Sequence, residues 1–222
     1  MKTKYSIIVP LYKNFELIDL LTSTIIKEIA KINLNYEIIY IDDNSPDQTW
    51  VKLKKLKNKN KKIKILRNNV NIGQHNSIYK GIKYSKGNYI FILDGDLQDN
   101  PKYFKNFLKS VKNVDVAVVG LISSESYKKK YISVFFWIVL NLLSKYRFPF
   151  NLTNFTFITS KNAKKLTKIR KPGFLYGDIC RLNIKVKFIQ IKRNKRYIGK
   201  SSYNLKKKLG DAIKWSWIYI FN

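Results

Sequence analysis

Tyr89-Ile90-Phe91-Ile92-Leu93-Asp94-Gly95-Asp96-Leu97-Gln98-Asp99-Asn100-Pro101 is an apolar run of strand length that stops abruptly at acidic residues. An unbroken stretch of isoleucine, leucine and aromatic side chains suits a strand buried on both faces, as in a parallel sheet. Pro101 then opens a helix over 101–111, because a missing N–H costs nothing in a first helical turn. The same alternation runs through the chain before it. Tyr5–Pro10, Glu37–Ile41 and Ile63–Leu66 read as strands, and Glu16–Ile32, Asp47–Leu56 and Gln74–Ser85 as helices. Val114–Val119 is a further strand. Strands alternating with helices predict an α/β domain built on a mainly parallel sheet flanked by helices.

In such a sheet, ligands collect at the carboxyl ends of the strands. Those ends carry Pro10-Leu11-Tyr12, Asp42-Asp43, Asn68–Asn71 and Asp94-Gly95-Asp96. Two carboxylates one residue apart offer the oxygen ligands that Mg²⁺ or Mn²⁺ shares with substrate phosphates. Asp-x-Asp alone is a common surface turn; its position after a buried strand gives it meaning. Asp42-Asp43 admits two compatible readings: acceptors for a ribose hydroxyl or base N–H, or a turn in which Asp47 caps the next helix. Gly73 suits a tight strand-to-helix turn, and the helix start at Gln74 exposes N–H groups to an anion. His75, the sole histidine, reads as a helix-start residue without a catalytic role.

The second half differs. Ile132–Leu143 is nearly all apolar and flanked by Lys128-Lys129-Lys130 and Lys145. It is too short to span a bilayer, which takes about 20 residues, and fits either a core helix or one lying in a membrane interface. Strand-like stretches follow at Phe155–Ile158 and Val186–Ile191. Leu209–Phe221 is rich in Trp, Tyr and Ile and preceded by Lys206-Lys207-Lys208. That composition fits an interfacial helix and, equally, one packed on the domain. Arg196-Tyr197-Ile198-Gly199-Lys200-Ser201-Ser202-Tyr203 is a basic, hydroxyl-bearing loop.

Composition narrows the classes. The chain has 222 residues, 45% of them hydrophobic, enough for one α/β domain with a real core. The single cysteine, Cys180, excludes an intrachain disulfide and a cysteine-based zinc cluster. No secretory signal pattern is present. A net charge of +30 favours anionic partners: nucleic acid, a membrane surface or charged substrates. Abundant Lys, Asn, Ile, Tyr and Phe also fit codon bias. No zinc-finger, helix-turn-helix or aromatic RNA-binding pattern occurs, so nucleic acid is not an expected partner. Walker and Rossmann glycine loops and a Ser-His-Asp arrangement are likewise absent.

Four stretches taken together carry a resemblance: Ile7-Ile8-Val9-Pro10-Leu11-Tyr12, Asp42-Asp43-Asn44-Ser45-Pro46-Asp47-Gln48-Thr49, Asn71-Ile72-Gly73-Gln74-His75 and Leu93 to Pro101. In order and spacing they resemble the family 2 inverting glycosyltransferases of the GT-A fold. The Asp-x-Asp-Leu-Gln continuation, and Arg196…Gly199-Lys200-Ser201-Ser202-Tyr203, are most similar to the polyprenyl-phosphate (undecaprenyl- or dolichyl-phosphate) members. The resemblance implies a GT-A, Rossmann-like domain over 1–205, with a nucleotide-sugar and metal half at 1–120 and an acceptor half at 121–205 that contains amphipathic helix 132–143. Residues 206–222 would form a second amphipathic, interfacial helix.

It also implies roles. Pro10, Tyr12, Asp42, Asp43, Gly73, Gln74, Asp94 and Gly95 would hold the nucleotide sugar, a uridine type by expectation. Asp94, Asp96 and Arg196 would be catalytic, with Asp96 ligating Mg²⁺ or Mn²⁺. Gln98, Arg196, Ser201 and Tyr203 would serve the diphosphate or the acceptor. A polyprenyl phosphate acceptor needs no general base, since a phosphate oxygen is already ionised; a sugar hydroxyl on a surface polysaccharide does need one, and Asp178 is the candidate. A non-catalytic nucleotide-sugar-binding or scaffold protein is the reading of another class. The chain departs from the family's Pro-x-Tyr-Asn at Lys13, although Asn14 follows, and its 122–131 segment is short. Peripheral attachment to the cytoplasmic face of an anionic membrane, without a spanning helix, is expected. A membrane-anchoring partner or a second copy of the chain would be the further partners.

Overall fold

A computed structural model describes residues 5–111, 116–123, 131–195, 197 and 205–221. Seven strands form one sheet in the order β3-β2-β1-β4-β6-β5-β7. They are β1 (Tyr5–Leu11), β2 (Tyr36–Asp42), β3 (Ile63–Arg67), β4 (Tyr89–Ile92), β5 (Ala117–Ile122), β6 (Leu152–Thr159) and β7 (Val186–Ile191). β1, β2, β3 and β4 run parallel, β6 is antiparallel to β4 and β5, and β7 is parallel to β5. The helices are α1 (Ile18–Ala30), α2 (Thr49–Lys59), α3 (Gln74–Tyr84), α4 (Phe104–Ser110), α5 (Tyr131–Leu143), α6 (Ser160–Leu166), α7 (Leu175–Arg181) and α8 (Leu205–Phe221).

Alternation along the central strands builds two cores. Ile7 and Val9, Ile38 and Tyr40, and Phe91 face one side, against Ile18, Leu21 and Ile25 of α1 and Phe104 and Phe107 of α4. Ile8, Ile39, Ile41, Ile90 and Ile92 face the other, against Ile78 and Ile82 of α3, Leu166 of α6 and Ile179 of α7. Both faces of β1, β2 and β4 are therefore dry, which explains their unbroken apolar runs.

Two sequence expectations are corrected locally, and two short helices were not expected. The helix after Asn100 opens as a 3-10 turn, Pro101–Tyr103, because the Asn100 side chain accepts the Lys102 N–H and tightens the first turn. Asp47 does not cap an α-helix: it accepts the Thr49 N–H in an Asx turn, and α2 begins at Thr49. The helices α6 and α7 carry only seven residues each and too little periodicity to announce themselves. Of the predicted strand at 114–119, residues 114 and 115 lie outside the described residues.

α5 and α8 pack on each other and on a third, aromatic cluster containing Leu140, Phe148, Phe174, Ile218 and Tyr219. The packed placement of these helices is the one the contacts show. Each buries one face, while Ile138, Leu142 and Leu143 of α5 and Ile213 and Trp217 of α8 stay exposed. Among the described residues no helix is long and apolar enough to cross a membrane.

Tyr219 seats α8. Its hydroxyl donates to Asp178 Oδ1 at 3.2 Å and accepts the Phe174 N–H at 2.9 Å. Its ring lies on Gly173 and Gly177, where an added Cβ would come within 2.0 and 2.4 Å of ring or hydroxyl atoms. Glycine inside a helix ordinarily costs about 1 kcal/mol relative to alanine. At Gly177 the sign should reverse: Gly177→Ala is expected to lower unfolding free energy by about 1–3 kcal/mol through overpacking on Tyr219. Urea denaturation of the two proteins measures this, and a stabilised variant would refute the contact.

Candidate active site

The carboxyl ends of β1, β2 and β4 form one loop cluster, with the start of α3 beside it. Three non-glycine residues in it adopt left-handed backbone: Lys13 (φ 57°), Asn44 (φ 56°) and Leu97 (φ 60°). Such strain collects where surrounding bonds over-determine the backbone. Here the bonds are visible. The Lys13 N–H donates to Ser45 Oγ at 3.0 Å, the Asn14 N–H to Thr49 Oγ1 at 3.1 Å, and Asn14 Nδ2 to the Gly95 carbonyl at 3.1 Å. Asn14 thus ties the β1 loop to the Asp94-Gly95-Asp96 turn. Gly95 is required there, since a Cβ would meet Leu11 Cδ2 at 2.4 Å. Pro10 is buried and Tyr12 partly exposed on the same loop.

The β2 carboxylates are spoken for. Asp42 is fully buried; its Oδ1 accepts the Ser45 N–H at 3.0 Å, and its Oδ2 pairs with Arg67 Nε at 3.1 Å. Asp43 Oδ1 accepts Asn68 Nδ2 at 2.8 Å and the Ile72 N–H at 2.9 Å, and its Oδ2 accepts the Gly73 N–H at 2.8 Å. Asp42 and Asp43 thus hold a turn, as one reading expected, although Asp47 does not cap the helix that follows. Gly73 (φ 86°, ψ 159°) occupies backbone space that is essentially closed to other residues. It aims Gln74 at the centre of the site.

That centre is Asp94, exposed by only 15% at its side chain. Its Oδ1 accepts Gln74 Nε2 at 2.5 Å and Asn154 Nδ2, from β6, at 3.1 Å. Its Oδ2 pairs with Arg193 Nη2 at 3.0 Å. Arg193 Nε lies 3.3 Å from Asp99 Oδ1, and the other Asp99 oxygen accepts the Asp94 N–H at 3.3 Å. Asp99 is wholly buried. Burial first, then the negative charges of Asp94 and Asp96, push its carboxyl up to about 7, against the pull of Arg193 and of the Asp94 N–H. Burial works against the charge on Arg193, but Asp99, Asp94 and Asp96 outweigh it and hold the guanidinium above its ordinary value.

Asp96 Oδ1 accepts the Gln98 N–H at 3.1 Å. Gln98 Nε2 donates to the Asn194 carbonyl at 3.2 Å, and Asn194 Nδ2 to the Leu97 carbonyl at 3.1 Å. The segment after β7 is thereby fastened to the acidic turn. Among the described residues, no three acidic, histidine or cysteine side chains converge as a ready-made metal cage. The excess negative charge that raises Asp99 nevertheless fits a cation. A divalent ion here would take carboxylate oxygen and complete its shell from substrate phosphate and water.

Arg196, Ser201 and Tyr203 lie outside the described residues. Asp178 is not at the surface. It is fully buried in α7. Its Oδ2 accepts Tyr79 Oη at 2.5 Å and the Gly173 N–H at 2.9 Å, and its Oδ1 meets Tyr219 Oη at 3.2 Å and Arg181 Nη1 at 3.3 Å. Burial lifts its carboxyl above the usual carboxylate range, against the opposing bonds of Tyr79, Gly173 and Arg181. Sequence reasoning missed Arg193, Asn154 and Asp99. Asp99 sits inside the quoted acidic stretch and Arg193 just after the last strand, but only the fold brings Arg193 and Asn154 to Asp94.

Breaking a buried pair by removing one partner costs about 3–5 kcal/mol. Arg193→Met should therefore destabilise the fold by roughly that amount, and adding Asp99→Asn should recover part of it, because one of the two orphaned carboxylates, the wholly buried one, is then gone. Urea denaturation of both variants tests this; equal losses in the single and the double would disprove the coupling.

Comparisons with known proteins bear on the family and the fold. The chain is similar to the uncharacterized glycosyltransferase YkcC of Bacillus subtilis (strain 168), 28% identical over 211 residues that cover 93% of this chain and 65% of that protein. It is 34% identical to a dolichol-phosphate mannosyltransferase of Pyrococcus furiosus over 117 residues, 53% of this chain and 32% of the other. The chain thus spans less than two thirds of the length of these relatives. In structure it is similar to the mannosyltransferase PcManGT from Pyrobaculum calidifontis in complex with GDP-Man and Mn²⁺, with a TM-score of 0.63, 15% identity and coverage of 91% and 59% of the two chains. Glucosyl-3-phosphoglycerate synthase from Mycobacterium tuberculosis in complex with UDP gives a TM-score of 0.65 at 14% identity, covering 95% and 76%. The Glycosyl transferase family 2 profile matches residues 6–169, most of the chain, and the chain belongs to that family of glycosyltransferases.

Proposed function

We propose that this glycosyltransferase moves a sugar, with inversion, from a uridine-type nucleotide sugar to a polyprenyl phosphate for cell-envelope glycan synthesis, and that it uses Mg²⁺ or Mn²⁺. The observation that carries the acceptor is the burial of Asp178. Asp178, the residue expected to serve as base for a hydroxyl acceptor, is enclosed by Tyr79, Gly173, Tyr219 and Arg181. A phosphate monoester needs no base, since its second pKa is about 6. Its oxygen attacks the anomeric carbon, the bond from that carbon to the β-phosphate oxygen breaks, and the electron pair leaves with the nucleoside diphosphate.

In this reading Asp94, held by Gln74, Asn154 and Arg193, orients the sugar and ribose hydroxyls. Asp96 would hold the cation, which when bound neutralises the departing diphosphate. Pro10 and Tyr12 border the nucleotide. Asp42 and Asp43 act chiefly by shaping the loops around it, as does Gly95 by admitting Leu11. Gln98 positions Asp96 and the segment after β7, which leads to Arg196, Ser201 and Tyr203 on the acceptor side. Exposed apolar residues on α5 and α8 beside many lysines support peripheral attachment to an anionic membrane.

Incubation with membranes, Mn²⁺ and labelled nucleotide sugars should place label in the lipid extract. Asp96→Ala should reduce it at least about 10²-fold, the scale of a lost charge-stabilising group. Label only in polysaccharide would overturn the lipid acceptor. Asp178→Asn should lower stability and weaken acceptor binding, yet leave kcat per folded molecule near wild type at saturating polyprenyl phosphate. Loss of that kcat would restore Asp178 as base.

A further inference from the structure

Two cavities meet at α8. The first, about 220 Å³, opens at the start of α3 and is lined by Asn71, Gln74, Asn76, Gly173, Lys214 and Trp215, among others. The second, about 470 Å³, is walled by Pro172, Ile213, Trp217 and Ile218, with Lys171 and Lys214 at its edges. Pro172 and Lys214 belong to both. We propose that together they seat the acceptor: the polar cavity takes the phosphate head of a prenyl-type lipid monophosphate, and the apolar groove takes the first part of its tail. The proposal rests on the acceptor class argued above.

The chemistry of each part is distinct. No acidic side chain lines the polar cavity, whereas two asparagines, a glutamine and Lys214 do. Lys214 brings an ammonium, and the amides of Asn71, Gln74 and Asn76, which each donate one N–H to the Asp43 carbonyl, Asp94 Oδ1 and the Ile72 carbonyl, have a second N–H to give; such a lining suits a multiply charged oxyanion. The groove is hydrocarbon and indole, and its two lysines flank the shared edge. Ile213 is 73% exposed and Trp217 60%, the arrangement a linear apolar chain would cover. An amphiphile with its charge at one end matches this order; an apolar peptide or a soluble phosphate matches only one half.

The head would also lie beside the chemistry. Gln74 lines the polar cavity and donates to Asp94 Oδ1 at 2.5 Å. A phosphate in that cavity is therefore separated by one side chain from the carboxylate at the centre of the site. Lys214 is held there because α8 is latched through Tyr219, five residues along the same helix, to Asp178 and Phe174. Trp215 stands edge-on to His75 with ring centroids 5.8 Å apart, closing the wall between α8 and α3. On this proposal Asp178 is a positioning residue, which holds the helix that carries the acceptor's lysine.

Binding is read by intrinsic tryptophan fluorescence, with farnesyl phosphate, farnesol and inorganic phosphate as separate probes. Farnesyl phosphate is expected to change the signal saturably, and the other two to do so only at much higher concentration. Lys214→Gln should weaken farnesyl phosphate at least about tenfold, as loss of a charge-assisted bond does. Trp217→Ser should weaken a long polyprenyl phosphate about tenfold and a short one by much less, since less chain is covered. Both residues are exposed, so neither change threatens folding. In transfer assays the same variants should raise the acceptor KM and leave the donor KM within about twofold. Equal binding of farnesyl phosphate by wild type and Lys214→Gln overturns the seat, even if wild type transfers sugar to lipid. Wild type that binds farnesyl phosphate through Lys214 but transfers nothing to it overturns the acceptor class and leaves the seat standing. Protection of Trp217 by self-association, in place of ligand, would assign the groove to a second copy and also overturn the seat.

Discussion

The ion cluster of Asp94, Arg193 and Asp99 is the constraint on which the rest of the site depends. Arg193 follows β7, at the far edge of the sheet, and Asp94 follows β4, at its centre. Their pairing at 3.0 Å draws the last strand's outgoing segment across the acidic turn. Buried charges are expensive to assemble and more expensive to break, so the geometry of such a cluster is sharply specified. Asn194, next in sequence, adds two hydrogen bonds to the Leu97–Gln98 backbone and side chain. The acidic turn is thus stiffened from below by Asn14, from one side by Gln74 and Asn154, and from the other by Arg193. Under the proposed function, a site for a diphosphate and a cation gains from this, because its dipoles need no rearrangement when charge develops.

A second hub governs the opposite wall. Asp178 receives donors from α3, from the 172–174 turn, from its own helix and from α8. Burying a carboxylate without partners would be prohibitive; with these partners it becomes a specific fastening between elements. Its effect is to place α8 next to the start of α3. Residues far apart in sequence, Gln74 and Lys214, then border one cavity. The two hubs are joined through α3, whose first residue touches Asp94 and whose Tyr79 touches Asp178.

The fold was largely legible in the sequence, and the reason is periodicity. Buried parallel strands announce themselves as apolar runs, and their ends announce themselves where the carboxylates begin. Asp94, Gln74 and Gly73 were found that way. The signal failed where elements are short, as in α6 and α7, or where a residue's meaning is not local. Arg193 sits in a lysine-rich stretch, Lys192-Arg193-Asn194-Lys195-Arg196, where nothing in composition separates one cation from its neighbours. Asp178 was expected as a base for a hydroxyl acceptor, and its enclosure went unread, because burial is not written in the two residues on either side of it.

The sequence by itself determined the strand-helix alternation, the site at the strand ends and the family, since each rests on short-range pattern and on motifs in fixed order. Only the tertiary structure decided which cation meets Asp94, that Asp42 and Asp43 are consumed in shaping loops, that Asp178 is enclosed, and that α8 forms a wall. Those facts depend on contacts between residues up to about a hundred positions apart, such as Asp94 with Arg193 and Tyr79 with Asp178. Contacts of that range arise from packing of the whole sheet against its helices, which no local window of sequence contains.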